Sequence, residues 1–123
     1  MINYEEFGAF VKDLKKLGKR FSTLDSDFRN LKKYSLEAKH VYSLDNQGIF
    51  ELTGYNREGL NFFKVKKFSC RALKGRGCMT GLRVIYCWEE AAQRITFIEM
   101  YYKANQACED RKRIQNFISS LRS

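Results

Sequence analysis

The stretch Gly81-Leu82-Arg83-Val84-Ile85-Tyr86-Cys87-Trp88, followed after a short gap by Arg94-Ile95-Thr96-Phe97-Ile98-Glu99-Met100-Tyr101-Tyr102, decides the fold class. Its first half alternates. Leu82, Val84, Tyr86 and Trp88 fall on one face and Arg83 on the other, which is the two-residue period of a strand. Its second half is β-branched or aromatic on both faces, as expected of a central strand covered on two sides. Glu89 to Gln93 is a tight connection, so these two strands are expected to pair antiparallel. Upstream, Phe62 to Cys70 alternates again, with Phe63 and Val65 opposite Lys64 and Lys66.

Outside this strand-like region the period turns helical. Phe7, Phe10, Val11, Leu14 and Leu17 form one apolar stripe, and Gly18 stands where that helix is expected to end, with Lys19 and Arg20 beside its negative dipole end. Ile2 to Tyr4 suits a short edge strand. A second helix is expected from Ser22 or Thr23, with Asp25 or Asp27 in its first turn and Leu24, Phe28, Leu31, Ala38 and Val41 on its buried side. Asp45 to Gly59 reads as a loop holding one short extended piece. Ile114, Phe117, Ile118 and Leu121 mark a last helix, with Glu109 and Asp110 in its first turn. The expectation is one α+β domain over residues 1–123: an N-terminal helical hairpin packed on a small, mostly antiparallel sheet of three to four strands, with a C-terminal helix.

Composition narrows the function. Of 123 residues, 44% are hydrophobic and 15% aromatic, which excludes a disordered chain. Lys and Arg outnumber Asp and Glu by 23 to 14, a formal charge of +9 that suits a polyanionic partner, nucleic acid above all. No apolar run approaches a membrane span, and the start lacks a basic segment leading into an apolar one, so a cytoplasmic protein without membrane contact is expected. The four cysteines contain no C-x-x-C pair and His40 is the only histidine, so neither metal nor cofactor is expected and the thiols read as small hydrophobes.

The charge is unevenly placed. Between Glu58 and Glu89 there is no acidic residue, yet Lys64, Lys66, Lys67, Arg71, Lys74, Arg76 and Arg83 all fall there. On a strand, Lys64 and Lys66 share a face and can meet successive phosphates, and the glycines around Lys74 and Arg76 allow a backbone to approach closely. An uncompensated cluster of Lys64, Lys66 and Arg83 repels itself, which favours an external counter-charge. The rings of Phe62, Phe63, Tyr86, Trp88, Tyr101 and Tyr102 suit base stacking or core, with Phe63 and Trp88 better read as core. Glu99, inside a strand, calls for a partner and is expected in a structural salt bridge. Lys12, Lys15, Lys16, Lys19, Arg20, Lys32 and Lys33 make a second basic surface on the hairpin, either solvated or a further nucleic-acid contact.

Phe63-Lys64-Val65-Lys66-Lys67, then Gly81-Leu82-Arg83-Val84-Ile85-Tyr86, then a hydrophobic strand ending Tyr101-Tyr102-Lys103, together resemble the RelE/ParE superfamily of bacterial toxins. The hairpin from Phe7 to Lys33, with its Phe-Val-Lys-Asp-Leu-Lys-Lys-Leu run, is similar to the one that opens those proteins. The resemblance implies the toxin of a type II toxin–antitoxin pair with an antitoxin partner. RelE-like members cleave messenger RNA in the ribosome by attack of the 2′-hydroxyl on the adjacent phosphodiester, which makes ribosome and mRNA the further partners. The alternatives are a ParE-like gyrase inhibitor, a catalytically degenerate toxin-fold protein acting by protein binding, and a non-toxic nucleic-acid-binding module. On the RelE-like reading Arg83 contacts the scissile phosphate, Lys64 and Lys66 supply the basic strand, and Lys103 stands where a second catalytic cation is often found. Lys67, Arg71, Lys74 and Arg76 add RNA contacts. The His or Tyr that many members carry near the C-terminus has no counterpart after Tyr102, so Tyr101 or Tyr102 is left for a phenol's role, and Tyr102 is counted among the site residues.

Overall fold

The computed structural model describes residues 1–44, 48–66, 68–72 and 80–121. Strand β5 (Arg94–Tyr102) is buried at every position except its two ends, and the other elements are arranged around it. It pairs antiparallel with β4 (Leu82–Glu89) and, on its other edge, parallel with β1 (Asn3–Glu6). Beyond β4 lie β3 (Asn61–Val65) and β2 (Ile49–Glu51), both antiparallel, giving a sheet ordered β1-β5-β4-β3-β2. The sheet therefore has five strands rather than three to four. The additional ones are short edge pieces whose side chains are mostly exposed, so they carry little apolar alternation to read.

A register shift at Ile85/Tyr86 leaves Ile98 as an extra residue on β5, a bulge that turns both Ile98 and Glu99 away from the hairpin side. The β4–β5 turn closes with Gln93 in the left-handed region at φ 50°, and its carbonyl accepts from Asn3 N–H at 2.7 Å, which ties β1 to the turn.

Two layers of helix cover the sheet. The hairpin side packs Phe10 of α1 (Gly8–Arg20) and Phe28 of α2 (Leu24–Asn30) on Phe97, with ring centroids 5.3 and 4.8 Å away. Helix α1 runs through Gly18 to Arg20, and Phe21 N–H closes it on the Leu17 carbonyl, so the glycine is not its stop. Val11, expected in the core, is exposed. The second helical stretch continues from α2 through a π-helical segment, Leu31–Leu36, into α3 (Glu37–His40). With α-helical spacing Leu24, Phe28 and Leu31 would be followed into the core by Ser35. The wider π turn brings Leu36 there instead, fully buried. Val41 consequently ends up exposed.

On the opposite side α4 (Arg111–Ser120) lays Ile114, Phe117 and Ile118 over Phe62, Ile85, Cys87, Ile98 and Tyr101. Asp110 caps α4 by accepting from Arg113 N–H at 3.1 Å, and Leu121, expected on the apolar stripe, is exposed. Burying each of these large side chains contributes about 1.5–3 kcal/mol. No helix among the described residues is long and apolar enough to cross a membrane.

Candidate nucleic-acid interface

Past the end of α4's cover, the sheet opens into a cleft of about 340 Å³ lined by Lys66, Thr80, Gly81, Arg83, Tyr102, Lys103 and Ala104. Each side chain is there for a local reason. Arg83 follows the strand alternation onto the α4 side, and its Nη1 donates to the carbonyls of Lys66 (3.0 Å) and Leu82 (3.3 Å). These bonds fix the guanidinium plane without spending its charge. Gly81 sits at φ +86°, a backbone conformation that favours glycine, and packs against the Tyr102 ring. Its carbonyl accepts from Lys103 N–H at 2.8 Å, pinning the strand ends that carry Arg83 and Lys103. Thr80 bonds the Phe68 carbonyl (2.7 Å) and receives Leu82 N–H (3.2 Å), closing the floor. Lys66 is exposed with its ammonium 4.9 Å from the Phe50 ring centroid. Among the described residues, no carboxylate pairs with Lys66, Arg83 or Lys103.

No family model matches the chain, and no curated protein matches it by sequence. Its fold is similar to that of a chain of the archaeal RelE–RelB complex from Pyrococcus horikoshii OT3, at 15% sequence identity and a TM-score of 0.50, covering 83% of this chain and 94% of that one. The fold is RelE-like.

On this RelE-like fold, four of the expected site residues (Lys66, Arg83, Tyr102 and Lys103) line one cleft, and two do not. Lys64 forms an ion pair with Glu109, both side chains being largely buried. Burial pulls the Lys64 pKa down, but the hydrogen bond it donates to Glu109 and the neighbouring Tyr101 carry it above its ordinary value. For Glu109, burial pushes up and the Lys64 bond outweighs it, leaving the carboxyl below the usual range. The picture of Lys64 and Lys66 as adjacent free cations is thus corrected: the counter-charge of Lys64 comes from the segment before α4, distant in sequence. Arg71 is also diverted. Its Nε and backbone N–H bond the buried Asp27 carboxylate at 3.1 and 3.0 Å and its Nη2 bonds Ser26, away from the cleft. Burial raises the Asp27 pKa less than its bonds from Thr23 and Arg71 lower it. Thr23 Oγ1 donates to Asp27 at 2.6 Å and accepts from Ala72 N–H at 2.8 Å, and so does not cap α2. Lys67, Lys74 and Arg76 lie outside the described residues.

Glu99 departs from expectation as well. It accepts from Gln106 Nε2 (2.7 Å) and Asp110 N–H (2.8 Å), and burial keeps its pKa raised despite those bonds, so its partners are neutral donors rather than a salt-bridged cation. Phe62, Tyr86 and Tyr101 are buried, as are Phe63 and Trp88, which leaves Tyr102 as the cleft's aromatic side chain.

Two contacts enter the picture that sequence reading did not place. Arg20, at the end of α1, holds its guanidinium 4.9 Å from the Tyr102 ring centroid, so a cation from the hairpin reaches the cleft wall. His40 stacks on Trp88 at 4.4 Å and bonds Tyr86 Oη at 2.7 Å, and burial with Lys39 nearby lowers its pKa to about 4. No sequence pattern signals either contact, because each joins elements far apart in the chain.

Proposed function

We propose that this chain is the toxin of a type II toxin–antitoxin pair and cleaves ribosome-bound messenger RNA. The observation that carries the proposal is the cleft on a RelE-like fold in which Lys66, Arg83 and Lys103 stand together with no carboxylate paired to them among the described residues. In the step envisaged, the 2′-hydroxyl oxygen bonds to phosphorus as the bond to the 5′ oxygen breaks, leaving a 2′,3′-cyclic phosphate and a 5′-hydroxyl. The extra negative charge on the phosphorane falls to the Arg83 guanidinium, aided by Lys66 and Lys103. A basic group in the cleft takes the 2′ proton and an acidic one returns a proton to the leaving oxygen, with Tyr102 the phenol within the same walls. The structurally similar chain was solved in a complex named for RelE and RelB, and by analogy an antitoxin restrains this protein. A gyrase-poisoning role gives no reason for three cations in one cleft without a carboxylate partner among the described residues.

Single-turnover cleavage of a ribosome-bound message tests the reading. Arg83→Ala is expected to cleave about 100-fold more slowly, the scale of losing one preorganised donor, while ribosome binding weakens far less. Arg83→Lys is expected to rescue little, since a point charge does not reproduce the planar fork. Unchanged cleavage in both variants, or normal bacterial growth at high soluble expression of the wild type, overturns the proposal.

A further inference from the structure

Helix α1 follows β5 along the hairpin side. Its start is tied to β5 by Phe7 N–H on the Phe97 carbonyl (2.9 Å), its middle by Asp13 accepting from Met100 N–H (3.0 Å), and its end by Phe21 packed on Tyr102 (5.2 Å between ring centroids). The helix therefore ends at the wall of the cleft. With Phe10, Leu14 and Leu17 facing the sheet, the helical period puts Lys12, Lys15, Lys16 and Lys19 on the opposite, exposed side. An exposed helix face usually interleaves acid and base. Here the one acidic residue of α1, Asp13, is engaged by Arg113 and by Met100 N–H on the inner side. Lys12 and Lys16, and Lys15 and Lys19, stand four apart as like charges, an arrangement that weakens a helix unless an outside anion relieves it.

We infer that the outer face of α1 is a docking stripe for an RNA backbone, continuous with the cleft through Arg20. Lys12 to Lys19 span about 10 Å of helix, a length matched by roughly three phosphates of a strand. Arg20, stacked on Tyr102, joins the last lysine of the stripe to the cleft wall, so a strand bound in the cleft runs on along α1 rather than into solvent. This continuity favours RNA over an acidic protein as the occupant. The inference rests on the reading that the cleft binds RNA.

The test uses the full chain, a fluorescent twelve-nucleotide single-stranded RNA and, as an acidic-protein probe, a poly-glutamate peptide. The variant Lys12→Ala/Lys16→Ala/Lys19→Ala keeps good helix formers at exposed positions, and circular dichroism checks its fold. Its RNA affinity near physiological salt is expected to fall about tenfold, and the slope of log affinity against log salt to shrink by about 2, three contacts at roughly 0.7 each. Arg83→Ala serves as the cleft reference. If the triple variant binds RNA with unchanged affinity and slope while Arg83→Ala binds more weakly, the stripe is overturned and the cleft reading stands. If the triple variant loses RNA but Arg83→Ala cleaves normally, the stripe stands and the catalytic reading falls. Loss of poly-glutamate binding with RNA binding intact overturns the stripe in favour of an acidic protein.

Discussion

Lys64 and Lys66 stand two residues apart in the chain, and the structure gives them opposite fates. Lys64, under α4, is paired with Glu109 and largely shielded. Lys66, one step beyond α4's cover, is exposed at the rim of the cleft. The difference separates the covered centre of the α4-side face, where Lys64 pairs with Glu109 and Arg113 with Asp13, from its open end, where no carboxylate among the described residues pairs with Lys66, Arg83 or Lys103. Strand alternation assigns a side chain to a face. Whether its charge is available to a ligand depends on which distant segment lies over that face.

The covered centre is also held by Arg113. Its Nη1 bonds Asp13 and the Ile98 carbonyl (3.2 Å) and its Nη2 reaches the second Asp13 oxygen (3.3 Å), joining α4, α1 and β5. Arg113→Ala is expected to cost about 2–3 kcal/mol in urea unfolding, because it leaves a partly buried carboxylate without its partner. Amide exchange along 111–120 should accelerate with it. A loss below about 0.5 kcal/mol, the scale of an ordinary surface change, means that the apolar contacts of α4 suffice and the contrast between centre and end is not electrostatic.

The hairpin side offers a control, since its main titratable group, His40, is held among rings rather than ions. Its folded pKa of about 4 lies below the unfolded 6.5. Between those values the unfolded chain binds more protons, so stability is full above about pH 6.5 and falls as pH drops toward 4. The expected loss is on the order of 2 kcal/mol, after discounting for partial exposure. His40→Phe should flatten the stability–pH curve in that window in thermal melts. A wild-type curve flat from pH 7 to 4.5 refutes it. Glu109 and Asp27 act lower: their depressed pKa values give stability that is present above the ordinary carboxylate range and lost only as pH falls through the folded values.

The smallest stability effect comes from the two lysines themselves. Lys64→Met is expected to cost about 1–2 kcal/mol at pH 7 by leaving the Glu109 carboxylate uncompensated, less at low pH where Glu109 is protonated, with cleavage little changed. Lys66→Met should change stability by less than about 0.5 kcal/mol and yet slow cleavage. Equal effects of the pair on both readouts erase the distinction drawn here.

Much of the fold was legible because it is local and periodic. The two-sided apolarity of Arg94 to Tyr102 and the stripe of α1 each report a burial pattern imposed along a single element, whereas Leu82 to Trp88, read as alternating, is buried on both faces because α4 covers Ile85 and Cys87. The edge strands were less legible, since a short strand exposed on one side needs no apolar pattern. The π turn at Leu31–Leu36 was not legible at all: the helical period continues through it, and only the position of the sheet beneath decides that Leu36 rather than Ser35 is buried.

The amino-acid sequence by itself determined an α+β chain with strong positive charge, an acid-free stretch between Glu58 and Glu89, and Arg83 on the opposite face from Leu82, Val84, Tyr86 and Trp88. Those properties depend on residue type and on spacings of two and three to four residues. The tertiary structure alone decided that Glu109 neutralises Lys64, that Asp27 takes Arg71, and that Arg20 of the hairpin reaches Tyr102. Electrostatic pairing acts through space over a few ångströms, and chain positions 44, 45 or 82 residues apart come within that range only after the helices have packed on the sheet.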